Sequence, residues 1–129
     1  MPITVETALD ALVDLNGFVG AAIVDAQTGA ILNMRQNPAH HDFPVEESAL
    51  SDAKSMGEKI RSIRAFGLEN ALESIQIVLI HQYHLIWPLP NINSIFIYCI
   101  LERPQNDLAQ ARELMSSIAQ RLNAQYIQI

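Results

Sequence analysis

The sequence predicts an α+β fold: an antiparallel sheet with helices on its faces, in the order α-β-β-α-β-β-β-α. Three observations predict it. Asn16 to Arg35 reads as two strands joined by a tight turn. Three further apolar runs, Glu73–Ile80, Tyr83–Leu89 and Ile95–Leu101, follow one another across short polar breaks. Apolar residues at helical spacing appear before, between and after these two groups of strands.

The first helix begins after Thr4, whose hydroxyl can cap it. Val5, Ala8, Leu9, Leu12 and Val13 form its apolar stripe, with Asp10 and Asp14 off it. Asn16-Gly17 is expected to stop it, Gly17 in the left-handed conformation. Phe18 to Val24 is apolar without alternation, which predicts a strand covered on both faces. Gly20, Ala21 and Ala22 are small, so a bulky group is expected over them. Asp25-Ala26-Gln27-Thr28-Gly29 has turn chemistry, with Gly29 free to take positive φ. Ala30 to Met34 returns as the second strand.

A connector with Pro38, His40, His41, Asp42 and Pro44 leads to a helix starting near Val45. Glu46 and Glu47 lie in its first turn and Lys59, Arg61 and Arg64 toward its end, an order that complements the helix dipole. Val45, Ala49, Ala53, Met56, Ile60 and Ile63 make its apolar stripe. Ser48, Asp52, Ser55, Lys59 and Ser62 are expected to face water. Phe66-Gly67 ends the helix. The strand Glu73–Ile80 then turns at His81-Gln82 into Tyr83–Leu89, which Pro88 and Pro90 are expected to end. Asn91-Ile92-Asn93 turns the chain into Ile95–Leu101, the most apolar strand and therefore the central one. Asn106 can cap a last helix carrying Leu108, Ala111, Met115, Ile118, Ala119 and Leu122 on one stripe. The apolar tail Tyr126–Ile129 is expected to dock on the surface.

Composition bounds the function. The chain has 129 residues, the length of a single domain spanning 1–129, and half of them are hydrophobic. Its formal net charge of −6 gives no long-range attraction for phosphate backbones, so nucleic acid is not an expected partner. The single cysteine, Cys99, allows no intrachain disulfide and suits a reducing compartment. The N-terminus lacks a signal-peptide pattern and no window is long and apolar enough to span a membrane, so a cytoplasmic protein is expected.

The ordered motifs resemble the roadblock/dynein light chain family. They are the helix Ala8-Leu9-Asp10-Ala11-Leu12, the glycine turn and strand Leu15-Asn16-Gly17-Phe18-Val19-Gly20-Ala21-Ala22-Ile23-Val24-Asp25, the hairpin exit Thr28-Gly29-Ala30-Ile31, the strand Tyr83-His84-Leu85-Ile86-Trp87-Pro88-Leu89, and Leu101-Glu102-Arg103 with Leu108-Ala109-Gln110-Ala111-Arg112. Trp87 departs from the family, where a basic residue is common. The resemblance implies a roadblock, profilin-like fold. Its five-stranded antiparallel sheet has the order 2-1-5-4-3, with the middle helix on one face and the other two on the opposite face. It also implies dimerisation by edge-to-edge pairing of the third strands, with the middle helices side by side. The implied partners are small Ras-like GTPases, activated or merely held, or the subunits of motor and signalling complexes.

The residues support a homodimer independently. Glu73–Ile80 is a long apolar margin guarded by one charge, and a second copy would satisfy its hydrogen bonds symmetrically. The expected dimer interface is Ala49, Ala53, Met56, Gly57, Ile60, Glu73, Ile75, Ile77 and Leu79. Lys54, Arg61 and Arg64 group three of the chain's eight basic residues on one helix. With Ser51 and Glu58 they form the expected GTPase or partner surface. No catalytic, cofactor or metal residues are expected. The adjacent His40 and His41 do not converge on one ion, and His81 and His84 read as exposed loop and strand residues. Cys99 lies in the most apolar strand, where a thiol is inert. No nucleophile elbow, P-loop or dinucleotide fingerprint is present. The first reading is therefore a homodimeric, non-catalytic GTPase regulator or binding partner. The alternative is an adaptor that leaves GTP hydrolysis unchanged. A small-ligand sensor ranks last, because no convergent polar groups are evident inside.

Overall fold

The structure, a computed structural model, describes residues 2–68, 71–90, 92–103 and 108–122. The elements follow the expected order: α1 (Val5–Val13), β1 (Phe18–Asp25), β2 (Ala30–Gln36), α2 (Val45–Arg64), β3 (Ile75–Val78), β4 (Gln82–Leu89), β5 (Ile92–Glu102) and α3 (Leu108–Arg121). A 3-10 turn at Pro38–His40 lies in the connector before α2. The five strands form one sheet in the order β2-β1-β5-β4-β3, with antiparallel pairing throughout. The expected cap at Asn106 and the expected docking of Tyr126–Ile129 fall outside the described residues.

Two cores sandwich the sheet. On one face α1 and α3 bury Leu9, Leu12, Met115 and Ile118 against Phe18, Ile23, Leu85, Trp87, Ile97 and Cys99. On the other, α2 buries Val45, Ala49, Ala53 and Met56 against Val19, Ala22, Ile86, Phe96, Tyr98 and Ile100. Every residue of β1 is buried, as its unbroken apolar run requires. β5 lies at the centre.

Local signals act as their chemistry dictates. Thr4 Oγ1 accepts a hydrogen bond from the Thr7 N–H at 3.1 Å. Gly29 takes φ +77° in the β1–β2 turn. A Cβ on Gly20 would lie 2.5 Å from Val45 Cγ2, so the bulky group above this strand is the first residue of α2. Gly17 has φ +75°, but it lies three residues beyond the cap at Asp14. A Cβ there would meet the Glu102 carbonyl oxygen at 2.9 Å, so Gly17 admits β5 instead of ending α1.

The third strand departs from expectation. It spans only Ile75–Val78, where the sequence predicted Glu73–Ile80. Its pairing with β4 sets Ile75 against Ile86 and Val78 against Tyr83. One step past Val78, the Leu79 N–H donates to the Gln82 carbonyl at 2.9 Å, so the turn is Ile80-His81, one residue earlier than predicted. That bond also shows which way the backbone groups point. Gln82 directs its polar groups at β3, and strand alternation gives His84, Ile86 and Pro88 the same direction. The residue opposite Glu73 is thus Pro88, which has no N–H to donate. Pro88 does not end β4, where it pairs with Phe96 of β5. It ends β3 instead.

Candidate functional site

The candidate surface combines the outer side of α2 with the free margin of β3. Ser51, Lys54, Glu58, Arg61 and Arg64 are all exposed or half-exposed on α2. Among the described residues the ion pairs are Arg35–Asp10, His40–Glu102 and His84–Asp52. Lys54, Arg61 and Arg64 therefore present their charge to solvent.

The residues expected at a dimer interface divide into two groups. Ala49, Ala53 and Met56 are buried beneath α2, at 1%, 4% and 0% exposure, against the chain's own sheet. Within one chain this stripe is spent on its own sheet, so the surface α2 has left for a second copy lies beside it. Gly57, Ile60, Ile75 and Ile77 are half-buried, and Glu73 and Leu79 are exposed. A Cβ on Gly57 would meet no atom within 4 Å, so packing inside the chain does not demand this glycine.

Beneath α2 lies a polar cluster that the sequence reading missed. His84 is 7% exposed, not an exposed strand residue. Its Nδ1 lies 3.0 Å from Asp52 Oδ2 and 2.9 Å from the Tyr98 hydroxyl, and its Nε2 lies 3.0 Å from Gln82 Oε1. The Tyr98 hydroxyl lies 2.7 Å from Ser48 Oγ. Phe43 and Tyr98 pack edge-on to the imidazole. Burial raises the Tyr98 hydroxyl far above its ordinary value, so it stays neutral. Ser48 and Asp52 were expected in water. They are one turn apart on α2, and together they bridge it to β4 and β5. The signal was available in that i, i+4 polar pair and in the alternation of Tyr83-His84-Leu85-Ile86, which sends His84 toward α2. Ser48 touches Tyr98, not the imidazole, so this is no nucleophile–base pair. It clamps a helix to a sheet.

The remaining candidates disperse. His40 contacts Glu102, and His41 Nδ1 lies 3.3 Å from the Pro38 carbonyl. Cys99 is fully buried, and burial pushes its thiol up to about 12. Among the described residues no helix is long and apolar enough to cross a membrane.

The sequence matches no family model and no curated protein. Solved structures do match the fold. The gliding protein MglB of Thermus thermophilus superposes with a TM-score of 0.73 at 11% identity, covering 91% of this chain and 84% of that one. MglC of Myxococcus xanthus gives 0.59 at 9% identity, covering 91% and 94%. A Roadblock/LC7 domain from Streptomyces avermitilis gives 0.66 at 13% identity, covering 91% and 92%. A sheet ordered β2-β1-β5-β4-β3, with α2 alone on one face and α1 and α3 on the other, thus has the roadblock/LC7 fold.

Proposed function

We propose that this chain is a homodimeric, non-catalytic regulator or binding partner of a small Ras-like GTPase, working in the reducing cytoplasm. The observation that carries the proposal is the margin of β3: among the described residues no strand lies on its outer side, and Val78 together with Leu79 and Ile80 just past it is exposed. A second copy pairing there would use Gly57, Ile60, Glu73, Ile75, Ile77 and Leu79. The roadblock/LC7 fold and the motif resemblance support the reading. A solved MglB structure with a tetrameric arrangement also has this fold, at a TM-score of 0.74 and 10% identity.

The GTPase would be met by Ser51, Lys54, Glu58, Arg61 and Arg64. This exposed arc is mostly basic on an acidic chain and attracts an acidic partner surface. The regulator holds or remodels the GTPase's switch loops and donates no reacting group. A pull-down with the small Ras-like GTPases of the same cell tests this. The double variant Lys54→Glu and Arg61→Glu, two exposed positions on α2 away from the β3 margin, should lose most of the binding while keeping the native dimer. Undiminished binding would remove the arc from the interface. Mixing the dimer with the bound GTPase and measuring GTP hydrolysis then separates a regulator, which changes the rate, from an adaptor, which does not.

A further inference from the structure

We infer that each copy in the dimer inserts its β3–β4 turn into a cleft at the start of the other copy's β3. The inference rests on the dimer reading above and specifies contacts that strand pairing alone does not require.

The knob is the turn Leu79-Ile80-His81. Ile80 is 82% exposed, the most exposed large hydrophobic residue among those described, and Val78 and Leu79 beside it are 58% and 43% exposed. An apolar turn of this kind is costly in water, yet it is held firmly. Arg103 Nη1 donates to the Leu79 carbonyl at 2.9 Å, the Arg103 N–H donates to the His81 carbonyl at 3.1 Å, and the guanidinium lies 5.3 Å from the Tyr83 ring centre. A knob ordered in advance loses little entropy on docking.

The cleft lies at the other end of the same strand. Pro88 stops β3 from starting at Glu73, so among the described residues no strand covers the sheet margin there. The ends of α2 and α3 straddle the gap, leaving a cleft of about 670 Å³ lined by Ile60, Arg64, Leu72, Glu73, Pro88 and Gln120 among others. The lining is mixed: Ile60, Leu72 and Pro88 suit an isoleucine, and the Glu73 carboxylate suits the histidine that follows it, with Arg64 and Gln120 as further polar groups.

Symmetry brings the two together. Backbone alternation from Leu79 points the polar groups of Gln76 and Val78 away from β4, toward the free margin. Two antiparallel copies of this strand are related by a two-fold axis normal to the sheet, which keeps every side chain on its own face. The axis therefore passes through a pair of identical residues, and centring it on the four-residue strand gives Gln76 with Gln76 or Ile77 with Ile77. With the axis at Gln76, Leu79 falls opposite the second copy's Glu73 and Ile80 opposite its Leu72. With the axis at Ile77, Ile80 falls opposite Ser74 and His81 opposite Glu73. In both registers the knob of each copy reaches the cleft of the other, so one dimer makes the contact twice.

Sedimentation and disulfide trapping test the inference. Wild type is expected to be a dimer at micromolar concentration, and Ile80→Asp to weaken it by roughly a hundredfold, since two isoleucines per dimer lose their burial. Two double-cysteine variants, Glu73→Cys with Leu79→Cys and Ser74→Cys with Ile80→Cys, sample the two registers. One of them is expected to give covalent dimers under mild oxidation, and the buried Cys99 does not compete. A dimer that Ile80→Asp leaves unchanged, or that neither cysteine pair traps, overturns the knob and cleft while leaving the dimer in place. A wild-type monomer overturns both.

Discussion

The two margins of this sheet solve the same problem in opposite ways. β2 is the longer edge, seven residues, and it closes itself. Arg35 donates to Asn33 Oδ1 at 2.9 Å and to the Met34 carbonyl at 3.0 Å, and it pairs with Asp10 of α1 at 3.2 Å. Gln36 Nε2 donates to the carbonyls of His40 and Phe43, folding the connector against the strand end. β3 is four residues long, ends at the exposed Val78 and runs into the exposed turn residues Leu79 and Ile80. Charges and local hydrogen bonds make an edge a poor template for further strands, and their absence makes it a good one. If β3 pairs with a second copy as proposed, the side chains flanking an edge outweigh its shortness in deciding whether it is available.

The largest expected effect comes from Gln76→Pro. The Gln76 N–H points away from β4, so proline there removes no backbone hydrogen bond within the chain, only the 3.4 Å side-chain contact with Ser74 Oγ, but blocks pairing across the margin. It should turn the dimer into a folded monomer, seen as a halved mass in sedimentation with an unchanged far-UV circular dichroism spectrum. A dimer that survives would mean that the open margin is not the interface.

Alkaline unfolding is a control on β5, which lies between the two margins. Cys99 is pushed up from 9.0 to about 12 by burial, so the folded chain keeps a proton that the unfolded chain releases. This contribution to stability is complete below pH 9. It declines as pH rises from there toward 12, by up to about 1.4 kcal/mol per pH unit. Tyr98, also raised by burial, adds to the loss with the same sign. Urea unfolding at a series of alkaline pH values reads this, and a flat profile would contradict the burial of both groups.

Next come the two anchors of α2, which share one row across the sheet, Gln36–Gly20–Ile100–His84–Ile77. At Gly20 the anchor is apolar contact with Val45, and at His84 it is the polar cluster. Asp52→Ala strips the imidazole and the Tyr98 hydroxyl of an acceptor and should cost about 1–3 kcal/mol. Gly20→Ala drives a methyl into Val45 and should cost a similar ~1–3 kcal/mol. Chemical denaturation measures both. If only Gly20→Ala destabilises, the cluster does not hold the helix.

The smallest effect is expected at the closed margin. Arg35→Ala removes a partly exposed ion pair worth less than about 1 kcal/mol and leaves a single strand edge with Asn33 still in place. Stability should change little and the oligomeric state not at all. Higher-order assembly of this variant would show that Arg35 alone keeps β2 closed.

The element order, the central position of β5, the burial of β1 and the need for a bulky group over Gly20 were legible because each depends on a local run or on one small residue. The length of β3 was not. It depends on which side of β4 the nitrogen of Pro88 faces, and that follows from the register of the turn at Ile80-His81. The polar cluster escaped for a related reason. Ser48 and Asp52 look like solvent-facing residues on a helix wheel, and only the placement of His84 and Tyr98 on adjacent strands beneath them shows otherwise.

By itself, then, the sequence determined the periodicities: which segments are helices and strands, and which stripes are apolar. Tertiary structure decided the rest, because registry between strands cannot be read within any one of them. That registry buries Ala49, Ala53 and Met56 in the chain's own core, seals one edge with Arg35 and Gln36, and leaves the other running into the exposed Ile80.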